Sequence, residues 1–244
     1  MRRLFILFAV LFYGCQRSAD PEPELEPRLV SVTYVGEYNK AAILAQATAY
    51  LGSSAAVIGN FLRYDVKYYK VSYKTTTTDG REIVASGALV LPSGGGNAPL
   101  VSIQHGTLFE ESDAPSYFKA GTEGLMGVVM ASSGFLTAMP DYVGYGDSRN
   151  EPHPYEHAEG LAVPVADFLL AVKEHFGKEG IKWNKKLLMA GYSAGGYATL
   201  AAQKLIQEQE SYSSEFILKN TSCGAGAYNK SLLLDQFINE PTSG

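Results

Sequence analysis

The feature that most constrains how this chain can fold is a glycine-rich turn between an apolar strand and a helix. Residues 187–190 predict a strand, the segment Gly191–Gly196 reads Gly-Tyr-Ser-Ala-Gly-Gly, and a helix is predicted at 195–209. A strained turn in this context presents Ser193 on a tight corner at the helix N-terminus, whose dipole favours developing negative charge. Gly191 and Gly195 allow the close backbone approaches that such a turn needs. The segment therefore predicts a nucleophilic serine.

Strand and helix patterns alternate along most of the remaining chain. Two runs rich in β-forming residues, 64–73 and 83–91, flank Asp79-Gly80 and predict an antiparallel hairpin. Further strands are predicted at 100–104, 135–139, 186–190 and 216–223, and helices at 39–51, 124–133, 161–176 and 195–209. This alternation predicts an α/β fold with a mostly parallel sheet and helices on both of its faces.

Two other segments follow predicted strands and carry a resemblance to a known family. His105-Gly106-Thr107 comes after the strand at 100–104, and Pro140–Ser148 comes at the end of the strand at 135–139. Together with Gly191–Gly196, in that order, they resemble the secreted lipase and esterase branch of the α/β-hydrolase superfamily. The resemblance covers residues 64–228 and implies the α/β-hydrolase fold.

The same resemblance implies a serine hydrolase that cleaves carboxylic esters through an acyl-enzyme on Ser193, with no cofactor and no metal. The backbone N–H of Ala194 and that of Thr107, or of Leu108, are expected to form the oxyanion hole. His105 and Gly106 are expected to support this loop, and Asp141 is given no catalytic role. The substrate is expected to be a small-molecule or lipid ester, and the sequence does not separate a lipase from an esterase.

The position of the histidines bears on the catalytic triad. In this superfamily the triad runs serine, acid, histidine along the chain. All four histidines, at positions 105, 153, 157 and 175, precede Ser193, and Asp235 is the only aspartate after it. We therefore expect the first part of a longer protein, with an incomplete core at 29–229 and the start of a cap at 230–244. A serine peptidase of the same fold and a catalytically inactive binding lipoprotein remain as alternatives.

The N-terminal residues predict export. Arg2 and Arg3 precede the apolar run 4–13, which is too short to span a bilayer and is typical of a signal peptide, here 1–14. The following Cys15 resembles the cleavage site of bacterial lipoproteins, which implies a lipid on its thiol and attachment to a membrane. An ordinary secretory signal with an incidental cysteine is the alternative. Three prolines among acidic residues make 15–28 an extended tether, and the expected location is the bacterial cell envelope, periplasmic or at the cell surface.

The net charge and the remaining histidines and cysteine bear on whether the chain binds nucleic acid or a metal ion. The net charge is −5, so no basic surface points to nucleic acid. His153 and His157 stand four residues apart, but the prolines beside them argue against a metal site on a helix, and we expect them to pack an ordered loop. His175 is expected to be exposed near the end of its helix, and Cys223 is expected to be a small buried residue.

Overall fold

The computed structural model describes residues 26–118 and 123–239. The strands of this part of the chain are β1 (Leu29–Tyr38), β2 (Val66–Thr76), β3 (Glu82–Pro92), β4 (Ala98–Gln104), β5 (Leu136–Pro140), β6 (Trp183–Tyr192) and β7 (Ile217–Gly224). They form one sheet in the order β1-β2-β3-β5-β4-β6-β7. Strands β1, β2, β3 and β5 pair antiparallel, whereas β5, β4, β6 and β7 pair parallel. The carboxyl ends of β4, β5 and β6 therefore meet at one edge, where ligands bind in open α/β sheets.

The helices of the described residues are α1 (Lys40–Leu51), α2 (Ala55–Gly59), α3 (Glu123–Ser132), α4 (Ala158–Glu179), α5 (Ala194–Glu208), α6 (Glu210–Ser213) and α7 (Lys230–Asn239). Local chemistry sets several of their ends. The Asn39 side chain accepts a hydrogen bond from the Ala42 N–H and caps α1, and His157 caps α4 by accepting from the Gly160 N–H. Gly180, at φ 64°, ends α4 in the left-handed conformation.

Two apolar layers cover the two faces of the sheet. Leu89 and Leu100 contribute to a core with α4 and α5, while the neighbouring Val90 and Val101 contribute to a second core with α1 and α3. Successive side chains of a strand point to opposite faces, and both faces of β3 and β4 are buried. This explains why these strands read as continuous apolar runs in the sequence.

The structure confirms the predicted α/β fold, the hairpin of β2 and β3, and the parallel strands at the sites predicted for them. Strand β1 was not predicted, and it enlarges the antiparallel part to three strands before β5. His175 was expected to be exposed but is only 8% exposed, because it lies where α4 packs beside Tyr69. Cys223 is half-buried rather than buried, because it lies on the edge strand β7.

Several predictions from the N-terminal and C-terminal segments fall outside this part of the chain. The signal peptide at 1–14, Cys15 and the tether as far as residue 25 lie outside the described residues, as do residues 240–244 of the predicted cap. The described start of that cap segment forms α7, most of whose side chains are exposed. The boundaries of the signal peptide, tether, core and cap therefore stay predictions.

Candidate active site

The turn between β6 and α5 places Ser193 at the carboxyl edge of the sheet. Ser193 has φ 57° and ψ −126°, a strained conformation for a residue with a side chain, and it is exposed. Its N–H donates to the Gly224 carbonyl at 2.8 Å, and its carbonyl accepts from the Tyr197 N–H at 3.2 Å. Backbone hydrogen bonds to β7 and to the first turn of α5 thus hold the strained residue in place.

Glycines make this turn sterically possible. A Cβ atom built on Gly191 would lie 2.2 Å from the Gly195 carbonyl oxygen, and one on Gly195 would lie 2.1 Å from the Gln104 carbonyl oxygen. A Cβ atom on Gly196 would lie 2.4 Å from the Gly224 carbonyl oxygen. The first two glycines were singled out from the sequence, whereas the tight packing of Gly196 against β7 was not. The turn is therefore pressed directly against the ends of both neighbouring strands.

The predicted oxyanion donors lie on adjacent segments. Gly195 packs against the carbonyl groups of Gln104 and His105, which brings the start of α5 next to the loop after β4. Ala194 is the first residue of α5, so its N–H has no partner within the helix. Among the described residues the N–H of Thr107 donates no hydrogen bond either. The N–H groups of Ala194 and Thr107 are thus free to donate, as the predicted oxyanion hole would require.

His105 is buried beneath this loop. Its Nδ1 atom lies 2.7 Å from the Gly106 carbonyl oxygen, and its Nε2 atom lies 3.1 Å from the Asp141 carbonyl oxygen. The ring also packs on Tyr142 at a centroid distance of 4.1 Å, and the Tyr142 hydroxyl donates to the His105 carbonyl. Both ring nitrogens therefore face backbone carbonyls that belong to the loops after β4 and β5.

Asp141 is the buried carboxylate at the end of β5. It accepts hydrogen bonds from the Ser86 hydroxyl at 2.6 Å and from the Ser116 N–H at 2.8 Å. Burial raises the pKa of Asp141 above its ordinary value of 3.8, although the hydrogen bonds from Ser116 and Ser86 and the nearby His105 act in the opposite direction. The carboxylate joins β3 to the segment that follows the oxyanion loop.

Further contacts join the loop after β4 to the loop after β5. The Tyr145 hydroxyl donates to the Leu108 carbonyl at 3.1 Å, and the Glu111 carboxylate accepts from the Gly146 N–H at 3.0 Å. Sequence reasoning missed Tyr145 and Glu111 as supports of the oxyanion loop. Each of these contacts joins the loop after β4 to the loop after β5, and the two loops are distant in sequence. The contacts are therefore visible only in the folded structure.

The other three histidines contact groups other than the serine hydroxyl. His153 donates from Nδ1 to the Val143 carbonyl at 2.8 Å, and burial lowers its pKa. His157 caps α4, and His175 lies near the other end of that helix, with a pKa lowered by burial. Within residues 26–118 and 123–239, no hydrogen bond joins a histidine to Ser193.

Two cavities differ in their relation to Ser193. An open, mainly apolar cleft of about 310 Å³ lies beside the turn, between α3 and the ends of β4, β6 and β7; Met126, Met130 and Tyr192 are among its lining residues. A larger cavity of about 900 Å³ is lined by β1 and by residues 178–182, which precede β6. Because Ser193 follows β6, the larger cavity lies at the opposite end of the sheet from the serine and is not the active site.

Comparison with solved structures finds that the chain is similar to an esterase and to a proposed hydrolase. The chain is 29% identical to a proposed hydrolase of Legionella pneumophila, with a TM-score of 0.71 over 83% of this chain and 53% of that one. It is 26% identical to the rice cell wall degrading esterase LipA of Xanthomonas oryzae, with a TM-score of 0.71 over 88% of this chain and 54% of that one. The chain thus spans about half the length of these two proteins.

A more distant match adds support for the fold alone. Candida antarctica lipase A is 16% identical, with a TM-score of 0.53 over 82% of this chain and 42% of that one. No family model matches the sequence, and no curated protein does. The mixed sheet, the strained turn after β6 and the structural matches show that the chain has the α/β-hydrolase fold and is similar to esterases and lipases.

Proposed function

We propose that this protein cleaves carboxylic esters through an acyl-enzyme on Ser193. The observation that carries the proposal is the strained, exposed serine at the start of α5, together with the unpaired N–H groups of Ala194 and of Thr107 in the loop after β4. The similarity to the Xanthomonas oryzae esterase supports the choice of an ester as substrate, because 88% of the present chain superposes on that protein.

The proposed reaction has two halves. The Ser193 oxygen attacks the ester carbonyl carbon while its proton passes to a base, and the carbonyl oxygen becomes an oxyanion that accepts hydrogen bonds from Ala194 and Thr107. The tetrahedral intermediate then expels the alcohol, which takes up the proton, and leaves the acyl group on Ser193. A water molecule attacks this second ester in the same way, releases the acid and restores the serine hydroxyl.

No histidine of the described residues is hydrogen-bonded to Ser193 to act as its base. The serine hydroxyl is a weak nucleophile until a base takes its proton, and His105, His153 and His157 are engaged elsewhere. Loss of the triad base costs about a million-fold in turnover in a serine protease. We therefore expect very slow ester turnover by residues 1–244 alone, and we expect added imidazole to accelerate it by taking the Ser193 proton.

The test asks whether imidazole accelerates ester cleavage only when Ser193 is present. The chain is incubated with p-nitrophenyl butyrate, with and without imidazole, and the protein-dependent release of p-nitrophenolate is measured beside Ser193→Ala and the control Ser214→Ala, an exposed serine after α6. We expect imidazole to accelerate release by the unaltered chain and by Ser214→Ala but not by Ser193→Ala. An equal acceleration in all three proteins would refute the proposal. Cleavage of the matched p-nitroanilide at the same rate would favour a peptidase instead.

We also propose that a lipid on Cys15 holds the domain at the bacterial cell envelope. The support is in the sequence: the apolar run 4–13, the cysteine after Gly14 and the proline-containing tether. In an expressing cell we expect the protein in the membrane fraction, and we expect Cys15→Ser to release it or to stall its processing. An unaltered N-terminus without lipid, found by intact-mass measurement, would contradict this location.

A further inference from the structure

A short chain of buried hydrogen bonds joins helix α5 to strand β4. The hydroxyl of Thr199, on the second turn of α5, donates to Oε1 of Gln104, the last residue of β4, at 2.8 Å. It shares its single proton with the Gly195 carbonyl oxygen, which lies 2.7 Å away. The Gln104 amide in turn donates to the Ser102 hydroxyl at 2.6 Å. The side chains of Ser102, Gln104 and Thr199 are at most 1% exposed, so these bonds lie inside the protein.

The two elements that these bonds join also carry the proposed oxyanion donors. The N–H of Ala194 belongs to the first residue of α5, and Thr107 follows Gln104 by three residues in the loop after β4. Both donors have to reach the same oxygen atom of the intermediate. Their separation therefore depends on how α5 is placed along β4, and Gln104 and Thr199 are side chains that fix this placement.

Stability alone does not explain a polar pair at this position. The other buried side chains of α5 are apolar and belong to Ala198, Ala202 and Ile206. A buried amide or hydroxyl is costly when its partner is missing, whereas two apolar side chains of the same shape in place of both can be nearly neutral. A satisfied buried network instead rigidifies the structure and selects one arrangement of the elements that it joins.

We propose that Gln104 and Thr199 are positioning residues for ester cleavage, because their hydrogen bond sets the distance between the Ala194 and Thr107 N–H groups. This inference rests on the proposed function of Ser193. Neither side chain reaches the substrate, since both are buried. Loss of a complete oxyanion donor costs about 100- to 1000-fold in rate, so a donor that is displaced but still present should cost about tenfold.

Substitutions of Thr199 test the proposal in imidazole-assisted acylation by p-nitrophenyl butyrate. Thr199→Val, which keeps the shape and removes the hydroxyl, should lower the rate at saturating ester about tenfold, with little change in the half-saturating concentration. Thr199→Ser, which keeps the hydroxyl, should restore most of the rate. The matched control is Thr48→Val on α1, because the Thr48 hydroxyl makes the same kind of bond to the Leu44 carbonyl four residues earlier, at 2.8 Å; its rate should be unchanged.

The matched thionoester separates a displaced oxyanion hole from general damage to the site. Its carbonyl oxygen is replaced by sulfur, a weak hydrogen-bond acceptor, so its reaction with Ser193 depends less on the two N–H groups. Thr199→Val should therefore lower the ratio of the ester rate to the thionoester rate, by about fivefold. Equal losses with both substrates, or no loss with either, would overturn the proposal.

A double variant tests whether Gln104 and Thr199 act through one hydrogen bond. Gln104→Met combined with Thr199→Val leaves neither partner facing an apolar group, and it should show the same lowered ratio as the single variants and be no slower than the slower of them. Circular dichroism and urea denaturation establish that each variant is folded. Single effects that multiply in the double variant would overturn the proposal. Ser193→Ala reacting like the unaltered chain would instead refute the proposed function itself, a result distinct from an unchanged ratio in a chain that requires Ser193.

Discussion

The loops that follow β5 and β6 lie on either side of the end of β4 but are stabilised in different ways. The loop after β5 begins with the buried carboxylate of Asp141 and is held by side-chain hydrogen bonds that include Ser86 and Tyr145. The turn after β6 is held by backbone hydrogen bonds and by the close approach of Gly195 to β4, and it carries the strained Ser193. The loop after β5 requires particular polar side-chain atoms, whereas the turn after β6 requires glycines, which have no side-chain atoms to clash with the neighbouring strands.

The two loops therefore have different roles: the loop after β5 supports its neighbour, and the turn after β6 presents the proposed nucleophile. The side-chain network holds the loop after β4 through polar atoms that are paired with one another and with the backbone. The turn can present Ser193 to a substrate because its stability comes from the backbone, which leaves the hydroxyl free. Adding a methyl group should therefore damage the turn, and removing a polar atom should damage the loop.

The largest effect is expected from Gly195→Ala. The new methyl group would lie 2.1 Å from the Gln104 carbonyl oxygen and 2.7 Å from that of His105. Because these contacts are with backbone atoms, strands and helix must move apart, and we expect the free energy of unfolding to fall by about 3 kcal/mol. Urea denaturation measures this change.

Gly177→Ala is the matched control for that substitution. Gly177 lies in α4, and a Cβ atom there would meet nothing within 4 Å. Alanine is the better helix former, so the free energy of unfolding should rise by up to about 1 kcal/mol. If Gly195→Ala cost no more than Gly177→Ala, close packing would not be what supports the turn.

A smaller effect is expected from Asp141→Asn. One oxygen of the amide can still accept a hydrogen bond, but its NH₂ group would face a second donor, from Ser86 or Ser116. The mispaired donor should lower the free energy of unfolding by about 2 kcal/mol in acid, where the native carboxyl is protonated. Urea denaturation over a range of pH measures the change.

The stability difference between the native protein and Asp141→Asn should change with pH in a defined direction. Burial raises the folded-state pKa of Asp141 above 3.8, so the folded state holds the proton more tightly than the unfolded state does. The stability that this group contributes is complete below 3.8 and is lost as the pH rises through the folded pKa. The advantage of the native protein over Asp141→Asn should therefore shrink with rising pH.

Asp79 should show the opposite pH dependence, because its pKa is lowered and not raised. Its pKa lies below the ordinary value of 3.8 because of hydrogen bonds from Thr77 and then Arg81. Its contribution is present above 3.8 and is lost as the pH falls through the lowered value, so the advantage of the native protein over Asp79→Asn should shrink in acid. Slopes of the same sign in the two variants would contradict the assigned causes.

The smallest effect is expected from Tyr145→Phe. The change removes the hydroxyl that donates to the Leu108 carbonyl, one residue after the proposed oxyanion donor Thr107. A hydrogen bond of this kind contributes about 1 kcal/mol, so imidazole-assisted acylation of Ser193 should slow about fivefold. Stopped-flow release of p-nitrophenolate measures the rate, and Tyr34→Phe on β1 should leave it unchanged. An effect of equal size in both variants would show that the Tyr145 contact does not position the loop.

The sequence predicted the turn at Ser193 because all of its requirements are local. An apolar strand, glycines at fixed positions and a helix follow one another within residues 187–209, and the structure has them in that order. The alternation of strands and helices likewise predicted the α/β sheet. Local pattern was sufficient wherever neighbours in sequence are also neighbours in space.

The supports of the loops could not be predicted in this way. The Ser86 hydroxyl reaches Asp141 across 55 residues of sequence, and the Tyr145 hydroxyl reaches Leu108 across 37. Strand β1 escaped prediction because it is an edge strand whose side chains do not alternate cleanly between buried and exposed. Its pairing with β2, and not its own pattern, determines its structure.

The site of covalent labelling tests the central claim most directly. The 244-residue chain is treated with a fluorophosphonate in the presence of imidazole, digested, and analysed by peptide mass spectrometry, with Ser193→Ala treated in parallel. Because the strained turn exposes Ser193 at the start of α5, we expect a single phosphonyl adduct on Ser193 and none on the variant. An adduct on another residue, or equal labelling of the variant, would show that Ser193 is not the nucleophile.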